Sequence, residues 1–221
     1  MVFPRSDERP VALARTYDCA ERTSDALVHA AGLLLALTAV PVLITLAAVW
    51  RTDAAGIVGV SVYGGTLIAM LSASLAYNHV PAGQWTDILR RIDLAAIYGR
   101  IAKTVTPFVL LSGTGTSFLV GMWVAAVGAS IGGRRSGPVG VGIALAMAWA
   151  VLLAGGEVVA TTSVPVFALM VAGSVLYSLG SPFLLRERMR FHNAIWHGFV
   201  VVASAVFFVA VTWHLVVTSV A

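Results

Sequence analysis

Apolar runs long enough to cross a bilayer alternate with short polar breaks along almost the whole chain. A spanning helix needs about 20 consecutive apolar residues, with a range of about 17–25. The pattern predicts seven of them, at about 26–50, 54–78, 92–112, 115–132, 138–155, 159–184 and 194–217. The breaks are Arg51-Thr52-Asp53, Pro81 to Arg91, Ser112-Gly113-Thr114, Gly132 to Pro138, Gly155-Gly156-Glu157 and Arg186 to Arg190. The break at 112–114 is the weakest, and reading through it gives one very long helix and six spans. Residues 1–25 differ from everything that follows. This segment reads as a polar N-terminal tail with a short amphipathic helix near its end. It lacks the short apolar core and small-residue cleavage site of a signal peptide. The expected organisation is therefore a tail over 1–25 and a membrane domain over 26–221.

Composition agrees with a chain solvated mostly by lipid. Hydrophobic side chains make up 59% of its 221 residues and charged ones 11%, against about 45–50% and about 25% in soluble domains. Mean hydropathy is +0.91. The formal charge of +4 does not indicate nucleic acid, because the basic residues are scattered singly or in twos and threes and form no basic face. Cys19 is the only cysteine, which excludes an internal disulfide and a multi-cysteine metal cage.

Charge also selects the topology. With seven spans and the N-terminus inside, the cytoplasmic segments hold Arg5, Arg9, Arg15, Arg22, Arg90, Arg91, Arg134, Arg135, Arg186, Arg188 and Arg190, and the outer segments hold Arg51 alone. That is a strong positive-inside bias. Six spans would put both the 134–135 and 186–190 clusters outside. The expected fold class is an all-α seven-transmembrane bundle in the bacterial inner (plasma) membrane, with the N-terminus cytoplasmic and the C-terminus outside.

Ionisable groups inside a membrane are costly and mark functional candidates. On this topology they gather in the cytoplasmic leaflet. His29 lies near that end of the first span; Ser74, Asn78 and His79 close the second. Asp93 opens the third, with Arg100 and Lys103 deeper. His192, Asn193 and His197 open the last. Ser74 and Asn78 share a helix face, as do Asn193 and His197. Asp93, Arg100 and Lys103 fall on or near one stripe. His192 and His197 sit roughly 140° apart around their helix and do not grip one ion together. The bland readings are interfacial anchoring or capping for His29, His79 and His192, snorkelling for Arg100 and Lys103, and close helix packing for Gly64-Gly65.

The same residues carry a family likeness. Glu21–Gly32 (ERTSDALVHAAG), Val62–Asn78 (VYGGTLIAMLSASLAYN), Arg90–Phe108 (RRIDLAAIYGRIAKTVTPF) and Asn193–Val200 (NAIWHGFV) occur in the order and in the helices expected of the hemolysin III branch of the progestin and adipoQ receptor (PAQR) superfamily. The chain resembles that branch over nearly all of its membrane region. The resemblance implies a seven-helix bundle and a zinc ion in the cytoplasmic half. It further implies three histidine ligands, one from a Ser-x-x-x-His pattern and two from His-x-x-x-His, with an assisting aspartate and hydrolysis of lipid amides such as ceramide. Here Ser74 matches the serine, Asp93 the aspartate and His197 one histidine. Asn78 and Asn193 stand at the other two ligand positions, and amides are weak zinc ligands. Leu94 and Phe207 also stand where relatives often carry further histidines.

Three functions follow. The first expectation is a protein of membrane-lipid homeostasis whose polar cavity binds lipids or fatty acids without the full zinc site, a protein cation (Arg100 or Lys103) standing in for the metal beside Asp93. On that reading Lys103→Met destabilises the fold and chelators do nothing. The second is a zinc-dependent lipid amide hydrolase, with Asp93 and Ser74 catalytic, His197 a ligand and His79 or His192 replacing the lost ones. The third is a channel or transporter. A retinal-type pigment is rejected, because the embedded lysine lies on the wrong helix. The residues expected to matter are Ser74, Asn78, His79, Asp93, His192, Asn193 and His197, with His29, Arg100 and Lys103 as lipid-binding or charge-compensating groups. No nucleic-acid partner is expected.

Overall fold

A computed structural model describes residues 17–80, 83–131 and 137–220. Most of the expected tail, with Arg5, Arg9 and Arg15, lies outside the described residues, as do Pro81 and the Arg134-Arg135 cluster. Among the described residues the chain is helical throughout and carries no strand: α1 (Cys19–Trp50), α2 (Ala54–His79), α3 (Thr86–Ser112), α4 (Thr116–Ile131), α5 (Pro138–Ala154), the short α6 (Gly156–Ala160), α7 (Val164–Leu185) and α8 (His192–Val220). Lipid offers no hydrogen-bond partner to a bare peptide group, so a helix, which satisfies its own backbone, is the element such a sequence must adopt. Five helices (α1, α2, α3, α7 and α8) are long and apolar enough to cross a membrane, while α4 and α5 are apolar but shorter.

Several polar breaks fall where the pattern put them, but that expected to run to Arg91 ends earlier, α3 starting at Thr86, and Gly156 and Glu157 lie in the short α6. The weak one at 112–114 is a true helix end: Gly113 adopts φ +70° and its N–H returns to the carbonyl of Val109. A left-handed residue that closes the last turn is glycine's role, because a Cβ is penalised there. The helices α3 and α4 therefore stay separate. The span expected at 159–184 begins later, at Val164, because Pro165 in the first turn and the turn at Thr161–Thr162 set a fresh start, leaving α6 as a separate single turn.

The start of α1 differs most from expectation. The helix begins at Cys19, so residues 19–25 belong to the first helix instead of the tail. Asp18 and Glu21 form a reciprocal capping box: Oδ1 of Asp18 accepts from the Glu21 N–H at 2.7 Å, and the Asp18 N–H donates to Oε2 of Glu21 at 3.1 Å. The capped N–H and the neighbouring Arg190 guanidinium hold the exposed Asp18 carboxyl below the usual carboxylate range. Glu21, itself buried, accepts at Oε1 from the N–H of Phe191 at 3.0 Å and so ties α1 to the α7–α8 connection. Phe191 holds φ +59°, a conformation that non-glycine residues adopt only when neighbours enforce it. Glu21→Ala strips two buried or capped N–H groups of their acceptor. It is expected to cost about 1–3 kcal/mol in detergent unfolding, and Glu21→Gln less than half of that.

Packing places the bundle's polar end. Helix α1 packs against α2 and α8, α3 against α2, α4 and α8, and α7 against α8 and α5. One apolar cluster joins Leu43, Val60, Tyr63, Phe108, Met170 and Val211 among others, and a second joins Ala36, Val40, Leu67, Met70 and Val200. Close approach of α1 and α2 needs Gly64, where a Cβ would stand 2.4 Å from Val40. Gly65 meets nothing within 4 Å, so only the first of the two glycines packs helices together. The opposite end from the polar groups is closed by Arg51. Its Nε donates to Asp53 Oδ1 at 2.6 Å, Nη1 to the carbonyl of Thr218 at 2.7 Å and Nη2 to that of Leu111 at 3.3 Å.

Candidate functional site

The first turns of α1 and α8 and the last turns of α2 bring a carboxylate and three imidazoles together. Asp25 and His29 are one turn apart on α1, so both face the same neighbours. Asp25 is 4% exposed and His29 1%. Oδ1 of Asp25 accepts from Nδ1 of His197 at 2.6 Å, and Oδ2 accepts from Nε2 of His79 at 3.1 Å. The Nδ1–H of His29 donates to the backbone carbonyl of Asp25 at 3.0 Å, and its ring lies 3.5 Å from Oδ2. The other nitrogen, Nε2, lies 3.2 Å from the Ser74 hydroxyl on α2. The rings of His29 and His197 have their centroids 4.1 Å apart. One carboxylate thus organises three imidazoles from three helices, and Ser74 links them to Asp93 on α3.

These residues border a cavity of about 520 Å³, lined by His29, Ser74, Asp93, Arg100 and His197 on its polar side and by Met70, Leu71 and Val200 on its apolar side. Behind the cluster, Asp25 and His79 line a second cavity of about 40 Å³ together with Tyr17, Glu21 and Phe191. Arg100 sits at the deep end of the large cavity. Its guanidinium lies 4.6 Å above the Tyr177 ring and 5.9 Å from that of Trp196. The same side chain borders a small apolar pocket with Phe108, Met170 and Phe207.

The residues singled out in the sequence divide into groups. Ser74, His79 and His197 belong to the cluster with His29, and Asp93 adjoins it. Asn78 and Asn193 meet each other, the Asn193 amide donating to Oδ1 of Asn78 at 3.1 Å, while the Asn78 amide donates to the carbonyl of Ser74 at 2.9 Å. They act as a strut between α2 and α8. His192 is held elsewhere: its Nδ1–H donates to the Phe183 carbonyl at 3.2 Å, and Nε2 meets the Tyr17 hydroxyl at 2.9 Å. It stands outside the cluster, as its angular distance from His197 requires.

Arg100 and Lys103 are buried, as their depth in α3 predicts. Neither forms an ion pair with Asp93 among the described residues: the nearest carboxylate lies beyond 4.0 Å, and Lys103 Nζ and Arg100 Nη1 have no hydrogen-bond partner. Among the described residues no contact within 4.0 Å backs the expectation that one of them replaces a metal beside Asp93, though the Arg100 charge acts on the Asp93 carboxyl at longer range. On the opposite side of the bundle His214 is fully buried and bonded to Ser112 at 2.9 Å.

Asp25 is the residue that sequence reading missed. It falls in the segment 1–25, whose polar composition reads as a tail. The available signal was the spacing of Glu21, Asp25 and His29 at i, i+4 and i+8, which continues one polar face into the apolar run.

A zinc ion fits the side chains present better than the positions the resemblance implies. Asn78 and Asn193 spend their amides on each other and on backbone. Asp25, His29 and His79, by contrast, offer ligand atoms that all lie within 4.8 Å of one another. Two imidazoles and a carboxylate are a donor set that zinc accepts.

Comparison with known proteins agrees with the arrangement of motifs. A family profile described as "Haemolysin-III related" matches residues 17–208. The chain is 34% identical over 203 residues to a "Hemolysin-3 homolog" of Bacillus subtilis (strain 168), covering 89% of this chain and 95% of that one. It is 30% identical over 206 residues to "Hemolysin-3" of Bacillus cereus, covering 90% and 94%. No solved structure matches. With nearly the whole of its length matched to that profile and to both relatives, this multi-pass membrane protein belongs to the haemolysin III family.

Proposed function

We propose that the chain works in membrane-lipid homeostasis by taking up an amphiphile in its large cavity, as a seven-span protein of the bacterial inner membrane with its N-terminus in the cytoplasm and its C-terminus outside. The observation that carries this reading is the cavity at Arg100. Its volume of about 520 Å³ is within the range of small-molecule sites, about 300–1,000 Å³. It is polar at the histidine cluster and bounded at depth by a guanidinium braced on two aromatic rings. Beyond that guanidinium the walls are apolar. A lipid headgroup or a fatty-acid carboxylate suits the cation, and the apolar wall of the same cavity at Met70, Leu71 and Val200 suits an adjoining apolar segment.

Seven crossings are supported by α4 and α5, which supply two apolar helices besides the five long ones. With seven crossings the order of the helices along the chain would bring the arginine clusters to one side, in keeping with the positive-inside bias. The reading is tested by mass spectrometry of lipids that stay with detergent-purified protein. An acidic or amide-headed lipid is expected with the natural chain, reduced at least about fivefold in Arg100→Met, which loses the charge-assisted contact. Lipid no richer than in an unrelated membrane protein purified alongside would remove the basis for it.

A second reading, a zinc-dependent lipid amide hydrolase, is favoured by the Asp25–His29–His79 cluster in the cavity wall. Bound there, zinc would supply a water acidified to a pKa of about 7. Asp93 and Ser74, which also line the cavity, would orient the polar end of the substrate. Release of fatty acid from ceramide vesicles that is abolished by Asp93→Asn separates this reading from simple lipid binding.

A further inference from the structure

We propose that the metal site of this chain is displaced from the positions the family resemblance implies: Asp25, His29 and His79 hold a divalent transition-metal ion, and His197 is a positioning residue that acts through Asp25. Separations within the cluster carry the assignment. His79 Nε2 and His29 Nδ1 lie 3.1 Å and 3.5 Å from the same oxygen, Oδ2 of Asp25. Binding the ion there exchanges the protons on these two nitrogens, including the one that His29 gives to the Asp25 carbonyl, for the metal. Neighbouring ligands of a tetrahedral ion with bonds of about 2.0–2.1 Å stand about 3.3 Å apart. Two imidazoles and a carboxylate suit zinc or ferrous iron.

The other oxygen, Oδ1, is already taken by the Nδ1–H of His197 at 2.6 Å. That bond fixes the carboxylate plane and leaves Oδ2 to the ion, which is how an outer-shell group orients a ligand. The histidine that matches a family ligand thus moves to the outer shell, and the ligand role passes to residues on α1 and at the end of α2. The Asn78–Asn193 bond explains why: at the two remaining family positions the side chains are spent on each other. His29 and His197 line the large cavity and Asp25 and His79 the small one behind it, so the ion lies in the wall between them, within reach of a water or ligand from the cavity.

The inference bears on the hydrolase reading and leaves lipid binding untouched. The full chain, purified in detergent, is stripped with a chelator and titrated with zinc chloride, and separately with cobalt chloride to read the ligand field in the visible. Saturation near one ion per chain is expected. His79→Ala and Asp25→Asn should lower affinity at least about 100-fold and His197→Ala about 10–100-fold, the range for outer-shell groups. Asn193→Ala should bind as the natural chain does.

Absence of saturable binding by the natural chain overturns the proposal. So does binding that survives His79→Ala and is lost in Asn193→Ala. In ¹⁵N-histidine spectra of the natural chain, which need no variant to fold, zinc should shift the resonances of His29 and His79; shifts confined to His197 count against it. Lipid retained by protein that binds no metal sinks this inference alone, and loss of lipid with metal retained sinks only the lipid reading.

Discussion

Replacing Asp25 with alanine is expected to cost chelator-treated protein about 3–5 kcal/mol, the penalty for removing one partner from a buried charged network. Three imidazoles lean on this carboxylate, and two donate to it directly at 2.6 and 3.1 Å. Asp25 and His29 are both buried, so the carboxylate is shielded from bulk water. Without the carboxylate the rings of His79 and His197 keep N–H groups in a site that no longer accepts them. Asp25→Asn retains an acceptor for His197 but turns an NH2 group toward one of the rings, so about 1–3 kcal/mol is expected. Unfolding in mixed detergent micelles, followed by circular dichroism, gives both values. A loss below about 1 kcal/mol for the alanine variant would mean that the carboxylate faces water, against the geometry reported above.

Lys103→Met should raise stability, by about 1–3 kcal/mol in the same assay, because it removes a buried polar group that has no partner. The sign is opposite to that expected from sequence, where Arg100 or Lys103 is the candidate counter-charge of Asp93. Lys103 is 3% exposed and its Nζ meets no acceptor among the described residues. Methionine fills nearly the same volume and keeps the contacts of the aliphatic stem. Arg100→Met should gain less. It relieves the unpartnered Nη1 but forfeits the stacking on Tyr177, a contact of about 0.5–2 kcal/mol. Destabilisation by Lys103→Met would show that the ammonium has an acceptor in the working protein.

Much of the architecture was legible because lipid simplifies the code. A run of apolar residues has few options in a bilayer, so element type followed from length, and breaks such as Gly113 and Arg51-Thr52-Asp53 followed from residues that end helices. Boundaries were legible where local chemistry set them. The Asp18-x-x-Glu21 pattern that starts α1 is a capping signature, but its acids were read as a solvated tail. The site was half legible. The gathering of His29, Ser74, His79, Asp93 and His197 at one end of the bundle followed from helical spacing and topology. Who bonds whom did not, because spacing places a residue on a face and says nothing of what the next helix presents there. The Asn78–Asn193 strut, the hub at Asp25 and the aromatic brace on Arg100 each join residues more than 50 positions apart.

The Arg51–Asp53 pair has a bearing on how the chain is made. In the proposed orientation Arg51 is the one arginine on the outer side, and on its face it opposes the charge asymmetry that orients the rest. Two residues away, Asp53 is bonded to it and caps the Gly56 N–H, and the guanidinium and that N–H together hold the carboxyl below its usual range. Such a carboxyl stays ionised as pH falls past the point where an ordinary aspartate takes up its proton. The turn between α1 and α2 therefore keeps both its charges to lower pH than an ordinary aspartate would allow. In the proposed orientation it is the first stretch that the insertion machinery must export, and it would travel as a net-neutral parcel. Asp53→Asn would send it across bearing a bare guanidinium.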